Sequence, residues 1–215
     1  MSVELHGYKF SVYAWMAGFA LREKRVGYAW REVDPFADDV PADYLAIHPF
    51  GRVPTLVHGD VVVYETSAIT RYVDEAFEGP ALQPVLPRDR ARANQIISVI
   101  DSYGYWPLVR QVFSHGVMAE RMDRASDQSE YQQGLAAAPR VLKALENLAE
   151  DGDFLVGDHL TLADIHLAPI IGYFTSDAEG LALFNQQHRL RDWWQAISVR
   201  PAFIETWPEL PTPPK

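Results

Sequence analysis

A chain of 215 residues that is 48% hydrophobic carries enough apolar material for a sizeable core, in one large domain or two small ones. Its 19 basic and 29 acidic residues leave a formal charge of −10, which repels nucleic acid and anionic membrane surfaces and argues against a nucleic-acid partner. There is no cysteine, which excludes a disulfide framework, a thiolate metal site and a redox dithiol of the protein's own.

The opening MSVELHGYKF has neither a basic cluster nor an apolar run of signal-peptide length. No later stretch reaches the ~18 apolar residues of a membrane helix, so a soluble, cytoplasmic protein without a membrane partner is expected. Residues 3–6 alternate like a short strand, and residues 14–26 carry Trp15, Phe19, Leu21 and Val26 at helical spacing. Tyr28, Trp30 and Val33 recur with strand character before the Asp- and Pro-rich loop DPFADDVPADY. Thr55-Leu56-Val57 and Val61-Val62-Val63 flank the turn His58-Gly59-Asp60, which predicts a hairpin. Ala68, Ile69, Tyr72, Val73 and Phe77 then mark one face of a helix. Residues 1–78 thus read β-α-β, a short helix, then β-β-α, which a mixed sheet with helices packed on it would bury economically.

Residues 79–88, GPALQPVLPR, have the composition of a linker. Beyond them no convincing strand pattern occurs. Helical patterns run over 89–118, 127–150, 162–174 and 190–198, so residues 89–215 predict an all-α bundle domain. Thr161-Leu162-Ala163-Asp164 has the form of a capping box, with Leu160 and Ile165 spaced for a hydrophobic staple, and Pro169 predicts a local bend. The tail WPELPTPPK is expected to be extended or loosely held. No HExxH, P-loop, GxGxxG or GxSxG occurs, so neither a metal nor a nucleotide is expected.

Three strings, HPFGRVPTL (48–56), YETSAITRYV (64–73) and LTLADIHLAPII (160–171), stand in an order and spacing that resemble the soluble glutathione transferase family over nearly the whole chain. The serine-type members, bacterial or plant phi-like, are the nearest pattern. The resemblance implies a thioredoxin-like α/β N-terminal domain with a mixed four-stranded sheet, an all-α C-terminal domain, and glutathione as cosubstrate. It further implies a cis bond at Val53-Pro54, with the Val53 main chain turned outward to pair with the cysteinyl backbone of glutathione as in strand addition. Arg52, Val53, Pro54, Glu65 and Thr66 are the cosubstrate-binding residues it indicates. The start of the helix at Thr66 would hold the γ-glutamyl carboxylate and Glu65 its ammonium. Read without the resemblance, Thr66 or Ser67 is a helix cap.

Ser11 stands where the resemblance puts a catalytic serine, whose hydroxyl would donate to the sulfur. A hydrogen bond to a charged group contributes about 1.5 to 3 kcal/mol and a helix N-terminus about 0.3 to 1. Together they bring a thiol from near 8.5 to roughly 6 or 7. Tyr8 and Tyr13 are rival donors, and a helix cap is the alternative role for Ser11. The stretch where family members carry a basic pair for the glycyl carboxylate holds Asp39 and Val40, leaving Arg52 or His48 as replacements. Tyr13, Phe36, Trp106, Arg110 and Phe113 are the candidates for a pocket taking a small apolar electrophile, and ordinary core is their alternative role. Phe50 resembles the anchor that family members insert into a partner subunit, so a homodimer is expected. The function implied is conjugation of the glutathione thiolate to such an electrophile. The alternatives are a binding or regulatory module without turnover, and a glutathione-dependent lyase, isomerase or peroxidase.

Overall fold

Strand alternation is obeyed from the first element of the computed structural model, which describes residues 1–37 and 39–213. Val3, Leu5 and Gly7 of β1 (Val3–Gly7) are buried while Glu4 and His6 are half-buried. Asp38 in the acidic loop, and Pro214 and Lys215 of the predicted tail, lie outside the described residues. Next come α1 (Val12–Glu23), β2 (Ala29–Glu32), α2 (Ala42–Ile47), β3 (Thr55–His58), β4 (Val61–Tyr64) and α3 (Thr66–Ala76). The four strands form one mixed sheet in the order β2-β1-β3-β4, with β1 and β2 parallel and the other neighbours antiparallel. This is the predicted four-stranded arrangement. Helix α1 starts two residues earlier than its apolar spacing indicates, because Ser11 caps it, and it ends at Glu23, where Arg25 turns to φ 59. Gly59 at φ 63 permits a two-residue hairpin turn, so His58 joins β3 instead of the turn.

The chain divides into two compact units: Met1–Ala81 with Ala202–Pro208, and Leu82–Pro201 with the residues from Glu209 onward. In the first, Leu5 and Leu56 face each other across β1 and β3, and both are fully buried along with Met16, Phe19, Leu21, Ile69 and Val73. Residues of the C-terminal part complete it. Helix α10 (Pro201–Thr206) sets Phe203 against Trp15 at 5.1 Å and against Phe19 at 5.4 Å between ring centroids. Trp207 meets Trp15 edge-on at 4.8 Å, and the Trp15 indole N–H donates to Thr206 Oγ1 at 3.1 Å. The start of the Pro-rich tail is therefore anchored by aromatic packing.

The second unit contains α4 (Pro87–Val99), a π-helical continuation over Ile100–Gly104 and Trp106–Met118, then α5 (Ala119–Arg121) and α6 (Gln128–Leu148). Helices α7 (Leu162–Phe174), α8 (Ala178–Phe184) and α9 (His188–Ile197) follow. All thirteen residues of α7 are buried, so it is the core of this unit. The predicted helix over 89–118 is thus real, but its second half is wound wider: the Tyr105 amide donates to Ile100 O and the Ala119 amide to Ser114 O, five residues back. Pro107 lies at the start of the longer wide segment, where its missing N–H and its ring oppose ordinary i→i−4 bonding. The capping box at Thr161 forms as predicted. No helix among the described residues is long and apolar enough to cross a membrane.

Candidate functional site

Sheet register collects the candidates of the first unit at one end. His6 pairs with Thr55, Thr55 with Tyr64, and Gly7 with Glu32. The loop after β1 that carries Ser11, the Val53-Pro54 bond preceding β3, Glu65 following β4 and the loop after β2 that carries Phe36 therefore all leave the sheet at that end.

Ser11 is the N-cap of α1, in extended conformation, and its Oγ accepts the Ala14 amide at 3.2 Å. That bond uses an oxygen lone pair, so the hydroxyl proton remains for an acceptor at the mouth of the helix. Cap and donor are compatible roles for one side chain. Tyr8, the rival, packs its ring edge-on against Phe10 at 5.5 Å and Phe36 at 5.8 Å.

The Val53-Pro54 bond is cis. Pro54 is buried, Val53 half-buried and Arg52 exposed. The loop is held from α2: the Tyr44 hydroxyl donates to Arg52 O at 2.6 Å and lies 3.0 Å from Thr55 Oγ1. Tyr44 is a positioning residue that the sequence did not disclose, since a single buried tyrosine in a six-residue helix gives no pattern to read.

Glu65 stands at φ 70 and ψ 118. Among the described residues two other non-glycine positions have positive φ, Arg25 and Asp123, and each follows a helix whose last carbonyls its neighbours satisfy: Val26 N–H reaches Leu21 O and Arg124 N–H reaches Ala119 O. Glu65 instead precedes a helix. The strained backbone, costing of order 1 to 3 kcal/mol, marks it as a functional candidate on a physical ground separate from the motif. Its side chain does not cap α3, and Thr66 begins that helix 7% exposed. The first-turn amides of α3 thus form a positive terminus with a carboxylate beside it.

His48, the alternative basic residue, is 1% exposed and packs its ring against that of Tyr64, 4.7 Å away and tilted by 31°. Burial holds its imidazole below the usual range, against the opposing field of Glu65 and with a smaller push downward from Arg52. A buried histidine biased to neutrality is a poor carboxylate partner, which leaves Arg52 as the exposed cation of this loop. Asp39 and Val40 stand as the sequence gives them, Asp39 exposed.

Of the pocket candidates, Tyr13 is half-buried and Phe36 is 59% exposed in the first unit. In the second unit Trp106 is 58% exposed, Arg110 is half-buried, and Phe113 is buried with its ring 3.9 Å from that of Tyr173 in a parallel stack. Phe50 is 69% exposed. Among the described residues no group of three or more His, Asp or Glu side chains is arranged to hold a metal.

Comparison with known proteins finds two family models along the chain, the glutathione S-transferase N-terminal domain over residues 5–81 and the C-terminal domain over residues 105–201. Glutathione S-transferase F9 of Arabidopsis thaliana is 31% identical over 165 residues, 76% of either chain. Glutathione S-transferase F10 of the same plant is 29% identical over 86% of this chain and 87% of its own. The solved structure of a glutathione S-transferase III in apo form superposes with a TM-score of 0.85 at 28% identity, covering 100% of both chains.

Proposed function

This chain belongs to the glutathione S-transferase family, and from that premise we propose that it is a transferase joining the thiol sulfur of glutathione to a small apolar electrophile. The observation that carries the reading is Ser11: a hydroxyl fixed at the N-terminus of α1 by one bond to its oxygen, with its proton left to donate. The cosubstrate supplies the sulfur nucleophile. This chain's residues bind, orient and ionise it.

Thr66 and the first-turn amides of α3 favour the γ-glutamyl carboxylate, Glu65 the adjacent ammonium, and the Val53 main chain the cysteinyl peptide group. Tyr44 holds the loop that presents Val53. Arg52 is the cation nearest the glycyl end in sequence, in place of the basic pair that Asp39 and Val40 displace. Ser11 Oγ–H and the α1 terminus stabilise negative charge on sulfur, so no general base is required. On the first unit, Tyr13 and Phe36 are the proposed contacts for the electrophile. The module without turnover is less favoured, because nothing in its account calls for a hydroxyl so placed.

Ser11→Ala tests the reading. Loss of the donor should raise the bound thiol's pKa by about 1 to 2 units, equivalent to 1.5 to 3 kcal/mol, and lower kcat/KM at pH 7 by roughly 10-fold or more. Thiolate absorbance against pH and turnover of a chloronitrobenzene acceptor measure the two. Unchanged values would remove Ser11 from the chemistry. The domain limits 1–78 and 89–215, a cytoplasmic location and a homodimer anchored by Phe50 complete the proposal.

A further inference from the structure

At the end of the sheet where the cosubstrate residues gather, the transferase reading leaves one buried titratable side chain unused. The ring centroid of His48 lies 6.2 Å from that of Tyr44 in α2, 6.2 Å from Phe50 in the loop that follows, and 4.7 Å from Tyr64 at the end of β4. Its main chain is fixed as well: the His48 amide donates to Tyr44 O at 2.9 Å, and its carbonyl accepts the Gly51 amide at 3.0 Å, where Gly51 turns at φ 58. That turn delivers Arg52, Val53 and the cis bond. The Tyr44 hydroxyl, bonded to Arg52 O, lies 3.0 Å from Thr55 Oγ1, and Thr55 pairs with Tyr64 across β3 and β4. The imidazole thus packs at once on the helix, the loop and the strand end that present Val53 and Glu65.

A neutral ring suits this place and a charged one does not. Nδ1 is buried and meets no hydrogen-bond partner among the described residues. An imidazolium carries N–H on both nitrogens, so protonation sets a charged donor at Nδ1 with nothing to accept it, and the ring must leave its place to find an acceptor. Of the groups that face it, the Glu65 carboxylate and the residue's own main chain favour protonation, and Arg52 opposes it. Tyr44 and Tyr64 are the titratable groups packed on its ring, and beyond Tyr44 the next imidazole is His6, 5.9 Å from the tyrosine ring. Burial outweighs the pull of Glu65. Glu65 is also the group assigned to glutathione's ammonium, so a positive His48 and that ammonium compete for one carboxylate.

We propose that His48 is a positioning residue and a proton-operated switch for glutathione binding: neutral, it holds the Val53 loop and leaves Glu65 to the ammonium, and protonated it does neither. The inference rests on the glutathione reading and adds a regulator to that site. Linkage makes the coupling reciprocal: acid weakens glutathione binding, and bound glutathione expels the proton.

Calorimetric titration with S-hexylglutathione tests it, because the blocked sulfur has no proton to give and the ligand's ammonium and carboxylates keep their charges between about pH 5 and 7. In buffers of different ionisation enthalpy, binding to the parent should release part of a proton per chain at about pH 5.5 and almost none at pH 7. Affinity should fall about threefold or more from pH 7 to 5. His48→Phe and His48→Asn, which occupy the place without titrating, should lose both the release and the fall, whereas His6→Asn should keep them. A merely structural His48 would alter affinity in its variants and leave the proton release untouched. Equal release by the parent and H48N, loss of release in H6N but not in H48N, or a parent affinity indifferent to pH would each overturn the proposal. Failure of S-hexylglutathione to bind the parent at pH 7 would sink the glutathione reading and this inference together; binding at pH 7 without proton release at pH 5.5 would sink the switch alone.

Discussion

His48 illustrates how one residue couples the candidate site to pH. Its Nδ1 meets no hydrogen-bond partner among the described residues, and its ring is enclosed by Tyr44, Phe50 and Tyr64. His6, on the other side of Tyr44, is also held below the usual imidazole value by burial, with Glu4 and Asp43 opposing and Arg31 assisting. A depressed folded-state pKa means the unfolded chain binds more protons, so the stability conferred is complete above the ordinary imidazole value of about 6.5 and is lost as pH falls below it. Thermal midpoints recorded from pH 7.5 down to 5 should therefore decline from about 6.5 downward. His48→Phe, which keeps an aromatic ring and removes the proton site, should flatten the decline and leave the His6 share. An equally steep profile in H48F would assign the acid sensitivity elsewhere.

The start of α7 carries a fully buried hydrogen-bond cluster of the second unit. Asp164, 0% exposed, accepts Thr161 N–H at 2.6 Å, Thr161 O–H at 2.8 Å, Leu155 N–H at 2.8 Å and the Trp193 indole N–H at 2.9 Å. Burial pushes its carboxyl up, and these four donors pull it back toward the charged form. Asp164→Ala would leave four buried donors without an acceptor at about 1 to 3 kcal/mol each, so a loss of at least about 3 kcal/mol is expected in urea unfolding. A loss below about 1 kcal/mol would mean water takes over the role. This cap was legible because it is local: Thr161, Leu162, Ala163 and Asp164 specify it with no help from the rest of the chain. The hairpin around Gly59 and the Ser11 cap were legible for the same reason. Other features were not. Helix α8 and the six-residue α10 are too short for periodicity to show, and the wide winding after Val99 has no side-chain repeat of its own to announce it. Tyr44 and the strained Glu65 emerge from contacts and dihedrals.

At the scale of the whole molecule, the exposed apolar side chains include Phe50, with Tyr64, Val61 and Val62 on β4, the strand at one edge of the sheet. Phe50 lies 6.3 Å from Tyr64 between ring centroids, so the two form one aromatic projection. If this is the anchor of a homodimer, Phe50→Asp should convert a dimer into a monomer in sedimentation velocity, because a charge would have to enter an apolar socket. A dimer unaffected by F50D would place the interface on another face. The segment Ala202–Pro208 has a different consequence. Ribosomes make a chain from its N-terminus, yet the piece that covers Trp15 and Phe19 is delivered only after Leu82–Pro201 has been synthesised. The unit encoded first is thus completed only after nearly all of the second has been made, and until then the nascent chain leaves the Trp15 and Phe19 rings uncovered.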